Sequence, residues 1–495
     1  MIINDIDTTL KIHDNFNLEQ KTSFLFQHGK PCTNYIVENY FFVPKNLGFN
    51  QEAIKRDTFY KRVQNYVRFK SPICTLKQIA YDSRQNPFLK LDAVIEKVTS
   101  SDDLASLTEY EIELKRTGSA IKAALRDYVM FLRDSKTEDD LYVKFINNYC
   151  EYSDEIIKKL HKIWEKLHSP GVDSEMLKKF LWMEEACLVF INEFSDNLIF
   201  LTRKKLDRKS EVFLNCELSL LKLIEKNNKT KEKKHKQKTP SCKKDLEEFL
   251  FRKGVLKKYI SSVLFLNINH QKEPRRAEHV LYAIAAGIAM IVSILGAIYF
   301  QQRYDTFSFP VITALIISYM FKDRIKAIFQ NIFSSLLSKY YYDYKIKITD
   351  KFHGTFVGTC WQRFRFLNLK EVPKEITFFR LKNPLEALQR DITGENIFVY
   401  KKKIELFPRN IHAISQDING VNDIMRLNVK DFLDNMDNPK STVFVMKQAG
   451  YEWEDASKFY YINLCTYMKS QNVDKRIYYR IKLNRNGIKS IKTLQ

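Results

Sequence analysis

Residues 280–302 contain no Asp, Glu, Lys, Arg or His, and beyond Arg303 and Asp305 a second such run covers residues 306–321. A stretch of this kind constrains a chain severely, because it must be buried either in a core or in lipid. At about 1.5 Å rise per residue the first run exceeds the roughly 30 Å hydrocarbon layer, whereas the second reaches only about 24 Å. Lys322 and Lys326 can snorkel back to the headgroups, and Tyr304, Phe307 and Phe309 suit the opposite interface. The pair predicts a two-helix transmembrane hairpin over 280–321.

Arg252, Lys253, Lys257, Lys258, Lys272, Arg275 and Arg276 precede the runs, Lys322, Arg324, Lys326 and Lys339 follow them, and Arg303 stands between. That asymmetry predicts a two-span protein with both termini cytoplasmic, the expected location being a bacterial inner membrane. Residues 1–10 carry Asp5 and Asp7 and no apolar leader, so insertion is expected to rely on the internal hairpin. Ala285, Ala289, Ser293 and Ala297 recur at every fourth position, with Ala314 and Ser318 in the second run. Such small-residue stripes let helices approach closely, here as self-packing of the hairpin or, as the alternative, an oligomer interface. A permeation path is not expected from spans that lack ionisable groups.

Outside this region the chain is rich enough in apolar residues to build further cores, at 45% hydrophobic over 495 residues. Residues 1–90 read as a mixed α/β region, with a β-hairpin joining 21–27 to 33–43 and a helix over 51–70 that places Ile54, Phe59, Val63, Tyr66 and Val67 near one face. Residues 91–226 read as a helical bundle or coiled coil, with helices over 102–132 and 138–167 and a buried seam of Met176, Phe180, Met183, Cys187, Phe190 and Phe194 after the break at Pro170-Gly171. Residues 227–242 form a basic linker, 243–279 a membrane-entering helix and 322–345 an amphipathic juxtamembrane helix. Residues 346–495 predict an α+β domain with an antiparallel sheet, with strands at 355–360, 376–381, 397–407, 442–446, 459–468, 476–483 and 488–491 and a helix over 421–436. The apolar side chains of 21–45 are too numerous to leave in water, so the N-terminal strands are expected to join the C-terminal sheet.

The excess of 81 Lys plus Arg over 59 Asp plus Glu, a net charge of +22, favours anionic partners. Within the linker, Lys229, Lys231, Lys233, Lys234, Lys236 and Lys238 are candidates for contact with lipid headgroups or another polyanion, the plainer reading being a solvated loop. Tyr461, Tyr478, Tyr479 and Arg480, on two neighbouring strands, are the candidates for stacking bases and neutralising phosphates.

Catalytic signatures are missing. No GxxxxGK, GxGxxG, HExxH or GxSxG occurs, and the eight cysteines and nine histidines show no ligand-like spacing. Glu111, Glu113 and Lys115 resemble a metal-nuclease triad only in composition, and His353 with Cys360 would make a nucleophile pair only if the intervening segment folded back. No catalytic residue, metal site or cofactor is therefore expected. The leading expectation is a membrane-anchored cytoplasmic interaction or scaffold protein with lipid and a protein partner or second copy as its contacts. The alternative is a membrane-tethered nucleic-acid-binding or processing protein.

Overall fold

The computed structural model describes the chain except residues 1–4, 27–29, 73, 82–85, 101–103, 136–138, 170–172, 206–210, 236–241, 273–275, 304–308, 381–389, 393, 448–449 and 495. The chain opens with strands β1 (Ile6–Ile12), β2 (Asn17–Leu25) and β3 (Thr33–Pro44), helix α1 (Arg56–Arg62) and strand β4 (Val63–Phe69). Helices α2 (Leu76–Ala80), α3 (Pro87–Ser100), α4 (Leu104–Asp134), α5 (Asp139–Leu167), α6 (Ser174–Lys205), α7 (Glu211–His235) and α8 (Lys243–Ser261) follow. Strand β5 (Asn267–Lys272) leads into α9 (Arg276–Arg303) and α10 (Phe309–Tyr340), after which come β6 (Tyr344–Thr349), β7 (Phe356–Leu367), α11 (Lys374–Arg380), β8 (Glu395–Leu406) and α12 (Pro408–Ile414). The chain ends with β9 (Gly420–Asn428), α13 (Lys430–Asp434), β10 (Lys440–Lys447), β11 (Gly450–Ser457), β12 (Tyr460–Lys469), β13 (Asp474–Asn484) and β14 (Gly487–Leu494).

The architecture is α+β, with a helical bundle inserted between the strands of a large antiparallel sheet. Eight strands lie in the order β14-β13-β12-β3-β8-β7-β6-β5, four more in the order β1-β2-β9-β4, and β10 pairs with β11 alone. The two larger sheets enclose an aromatic core. Phe41, Phe364, Phe398 and Tyr400 from the eight-stranded sheet meet Leu18, Met425 and Leu427 from the smaller one, with Phe59 of α1, Phe432 of α13 and Phe49 of the β3–α1 connection among them. Phe59 stacks on Phe364 at 3.9 Å between ring centroids and Phe41 on Phe398 at 4.7 Å, which ties the N-terminal segment to strands more than three hundred residues later. Gly358 makes the β7–β8 pairing possible, because a Cβ there would collide with the Glu405 carbonyl oxygen.

Several sequence expectations are corrected. The strands on either side of residues 28–32 do not pair with each other: β2 lies between β1 and β9, whereas β3 lies between β12 and β8. β3 is buried along most of its length and needs a partner on each edge, so long-range pairing overrides the local turn. Only Arg56–Arg62 of the expected 51–70 helix is helical, and Val63–Phe69 pairs with β9. Residues 421–428 form the central strand β9 instead of a helix, their Val, Ile and Leu side chains filling both faces of a buried strand. Residues 374–380 are helical where a strand is expected. In the bundle, Tyr110, Tyr149, Phe180, Met183, Phe190 and Ile260 belong to one apolar cluster that draws on α2 to α8, a globular core in place of an extended coiled coil.

The two-helix transmembrane hairpin is overturned. Among the described residues, one helix is long and apolar enough to cross a membrane, His279–Tyr299 within α9. α10 packs beside α9, and the Ser293 and Ser318 hydroxyls meet at 3.0 Å. In an antiparallel pair held at that point, Lys322, Asp323, Arg324 and Lys326 fall level with Ala285 to Ala289, midway along the apolar part of α9. The uncharged start of α10 therefore covers only about 20 Å, well short of a roughly 30 Å hydrocarbon layer. Of the amphipathic helix expected over 322–345, residues 322–340 are the second half of α10, while Tyr344 and Lys345 already belong to β6.

Candidate membrane helix and basic sheet face

α9 and α10 stand outside both cores. Val280, Ile291, Leu295, Phe309, Ile316, Met320 and Phe321 are all exposed, and only 11% of the apolar window of α9 is buried. A core helix of a soluble domain would show the reverse. Ala285 and Ala289 are fully buried, Ser293 is half-buried against Ser318, and Ala297 is half-buried beyond it. Gly296 lies under Ser318 Oγ, 3.5 Å from where a Cβ would sit. Small residues thus bring the two helices close while the larger apolar side chains face outward. β5, which feeds α9, pairs directly with β6, which α10 feeds, so both ends of the helix pair are fastened to one sheet edge.

Beside that edge the outer face of the large sheet is basic and aromatic. The register places Lys345 and Lys403 on either side of Trp361, with ammonium groups 5.5 and 5.1 Å from the ring centre. Two residues on, Arg363 lies 5.8 Å from the Tyr342 ring, and Lys347 is exposed on the next position of β6. Carboxylates offset part of this charge, Glu38 pairing with Lys401 at 2.6 Å and Glu405 with Lys403 at 2.9 Å. Alternation explains the assembly, since Gln362, Phe364, Tyr400 and Lys402 between these positions point into the core. No local motif betrays this face, because its residues come from three separate strands, β6, β7 and β8, and meet only through their register.

The candidates Tyr461, Tyr478, Tyr479 and Arg480 do not share one surface. Tyr479 is buried in the inter-sheet core, and burial pushes its phenol up to about 12. Tyr478, on the opposite face, lies against α11 and donates from its hydroxyl to the Glu375 carbonyl at 3.3 Å. Tyr461 and Arg480 remain together, the guanidinium 5.4 Å from the ring.

The basic linker is mostly helix. α7 runs to His235 and takes in Lys229, Lys231, Lys233 and Lys234, while Lys236 and Lys238 lie outside the described residues. Lys229 pairs with Glu225 at 2.7 Å, Lys231 is buried with its ammonium pKa lowered by desolvation, and Lys233 is exposed. Lys234 reaches Glu184 at 2.8 Å and sits 4.4 Å over the Trp164 ring. Next to it, Glu185 accepts from Arg252 Nε and Nη2 at 2.5 and 2.7 Å. This part of the run is thus the C-terminal turn of a packed helix, docked through Lys234 on the buried Glu184 of α6, while Glu185 beside it ties α8 to the same helix.

Burial by itself would raise the Glu184 carboxyl, yet the nearby His235 ring and the hydrogen-bonded Lys234 ammonium hold it below its ordinary value of 4.5. The folded state therefore keeps Glu184 ionised where the unfolded chain would bind a proton. Its stabilising contribution is present above pH 4.5 and is lost as pH falls through the lower, folded value. Chemical denaturation of the wild type and Glu184→Gln between pH 6 and 3 checks this. The wild-type midpoint is expected to fall more steeply in the acid range, and parallel curves would contradict it.

The nuclease-like and nucleophile-like sets do not assemble. Glu111 pairs with Lys115 at 2.5 Å and Lys179 at 2.9 Å, while Glu113 pairs with Arg116. His353 is held by Asp350 at 3.0 Å in the β6–β7 turn, and Cys360 is buried, which pushes its thiol up to about 12. A thiol so shifted is protonated and a poor nucleophile. Among the described residues no group of His, Cys, Asp and Glu is arranged to hold a metal ion. No protein-family model matches the chain, and no curated protein sequence matches it.

Proposed function

We propose that this protein is a membrane-anchored interaction protein, with α9 held in lipid and the bundle and sheets carried together on the cytoplasmic side. The observation that carries this reading is the exposed apolar coat of α9, large enough to demand a lipid or protein cover. The β5–β6 pairing fastens the base of the helix pair to one edge of the large sheet, so the apolar coat projects from the folded part and is not packed within it. Basic residues before α9 and within α10 favour the cytoplasmic side. Membrane lipids are thus the first contact, and a protein partner or second copy occupies the exposed faces of the soluble part.

Flotation of the full chain with lipid vesicles tests the anchor. Ile291→Arg with Leu295→Arg, both on the exposed surface of α9, should shift the protein from the floating to the soluble fraction, at about 2.5–3.5 kcal/mol per charge near mid-bilayer. A wild-type protein that stays soluble and monodisperse without lipid or detergent would sink this reading.

A second reading, nucleic-acid binding by the outer sheet face, is favoured by Trp361 flanked by Lys345 and Lys403. It predicts that Lys345→Glu with Lys403→Glu weakens single-strand binding and reduces the salt slope by roughly 0.7 for each phosphate no longer neutralised. Unchanged affinity and slope would remove it.

A further inference from the structure

Hairpin β10–β11 is set apart from both larger sheets and is exposed along almost its whole length. Its register pairs Phe444 with Trp453 and Met446 with Tyr451, so these four side chains share one face, while Val443 with Glu454 and Val445 with Glu452 form the other. Phe444 packs at 5.0 and 5.3 Å from the Tyr451 and Trp453 rings, yet Met446, Tyr451 and Trp453 remain 81%, 68% and 69% exposed. An isolated two-stranded hairpin with an open aromatic face is marginal in water and gains from a cover.

Strand register locates that face relative to α9. Tyr344, where α10 delivers the chain back to the sheet, stands level with Gln362, Lys402, Val37 and Met468 on successive strands. β5 runs towards α9 in the direction that β12 follows from Lys469 back to Tyr460. Tyr460 therefore lies about 25 Å further along, at the end of the sheet from which the helix pair leaves. The hairpin is attached there, its base closed by the Lys458 amide donating to the Pro439 carbonyl at 2.9 Å.

We propose that β10–β11 is a second membrane contact, its Phe444, Met446, Tyr451 and Trp453 face seated at the headgroup–acyl boundary of the same lipid surface that holds α9. The inference rests on the membrane reading of α9 given above. Trp and Tyr favour this boundary because their apolar rings and polar tips match its two sides, and Met and Phe add apolar burial. The opposite face keeps Glu452 and Glu454 away from the acyl chains, and Asp455, on the aromatic face nearer the base, accepts from the Thr442 hydroxyl at 3.0 Å. Its aromatic face has no covering element of the fold, and it emerges at the same end of the strands as the anchor, which turns that face towards the lipid surface.

The test uses the full chain in phosphatidylcholine–phosphatidylglycerol vesicles containing lipids with a nitroxide high on the acyl chain together with lipids carrying it near the chain end. An environment-sensitive fluorophore is placed singly at Trp453→Cys, at Leu295→Cys in α9 and at Phe200→Cys on the exposed surface of the bundle, with Cys32 and Cys242 changed to Ser. The expected result is loss of most fluorescence at positions 453 and 295 and none at 200. Quenching at 295 without quenching at 453 overturns the hairpin contact and leaves the anchor intact. An unquenched 295 overturns both, whatever happens at 453, because the surface proposed is the one that holds α9.

Discussion

Replacing Lys402 with Met should destabilise the protein by about 3–5 kcal/mol, the cost expected when one partner of a buried ion pair is removed and the other charge is stranded. Lys402 on β8 and Asp423 on β9 are 2% and 8% exposed, and the ammonium lies 2.7 Å from the carboxylate. The same ammonium donates to Asn65 Oδ1 on β4 at 2.7 Å, and Asn65 Nδ2 donates to the Tyr400 hydroxyl at 3.3 Å. These contacts form a polar bridge between the two sheets, and a second one joins Gln20 on β2 to Asn39 on β3 and Thr466 on β12. Without Lys402, Asp423 must either stay charged and unpaired or take up a proton. Combining Lys402→Met with Asp423→Leu removes the stranded charge and should recover most of the loss. Denaturation midpoints of the two variants check this, and equal losses in the single and double variants would show that packing, not charge, dominates.

Phe398→Ala should cost about 3–5 kcal/mol through the cavity it leaves. Its ring is fully buried and touches Phe41, Phe49, Phe59, Phe364 and Phe366, which arrive from β3, the β3–α1 connection, α1 and β7. No single neighbour can move in without breaking another contact, so little relaxation is expected. The loss should appear in the sheet domain, as release of protection of the β3 and β8 amides in hydrogen exchange. Retained protection there would mean that the aromatic cluster is less cooperative than its geometry implies. Phe398→Leu, which keeps much of the volume, should be milder.

The two parts of the chain differ in how openly the sequence announces them. α4, α5 and α6 have an apolar period that repeats over many turns, and Thr442 to Met446 and Arg476 to Leu483 carry the β-branched and aromatic text of strands. Val421 to Leu427 carries a similar apolar density, yet periodicity alone does not distinguish a short buried strand from a helix, and pairing with β2 and β4 decides in favour of the strand. In the Lys-rich end of α7, charge alone suggests a solvated loop. Glu184, far away on α6, gives Lys234 a partner and makes this end of α7 part of the bundle.

By itself the sequence determined the long helices near 102–132 and 138–167, that α9 is too apolar for open water, and that no familiar catalytic spacing is present, because each depends on residues close together in the chain. The single helix expected over 243–279 instead ends at Ser261, and Asn267–Lys272 is strand β5 because it pairs with β6. Only the tertiary structure decided that β2 and β3 part into different sheets, that the charges of α10 fall level with the middle of α9, and that Trp361, Lys345 and Lys403 form one face. The physical reason is that local periodicity specifies which face of an element is apolar, whereas the partner it meets is chosen by burial and hydrogen bonding between segments hundreds of residues apart.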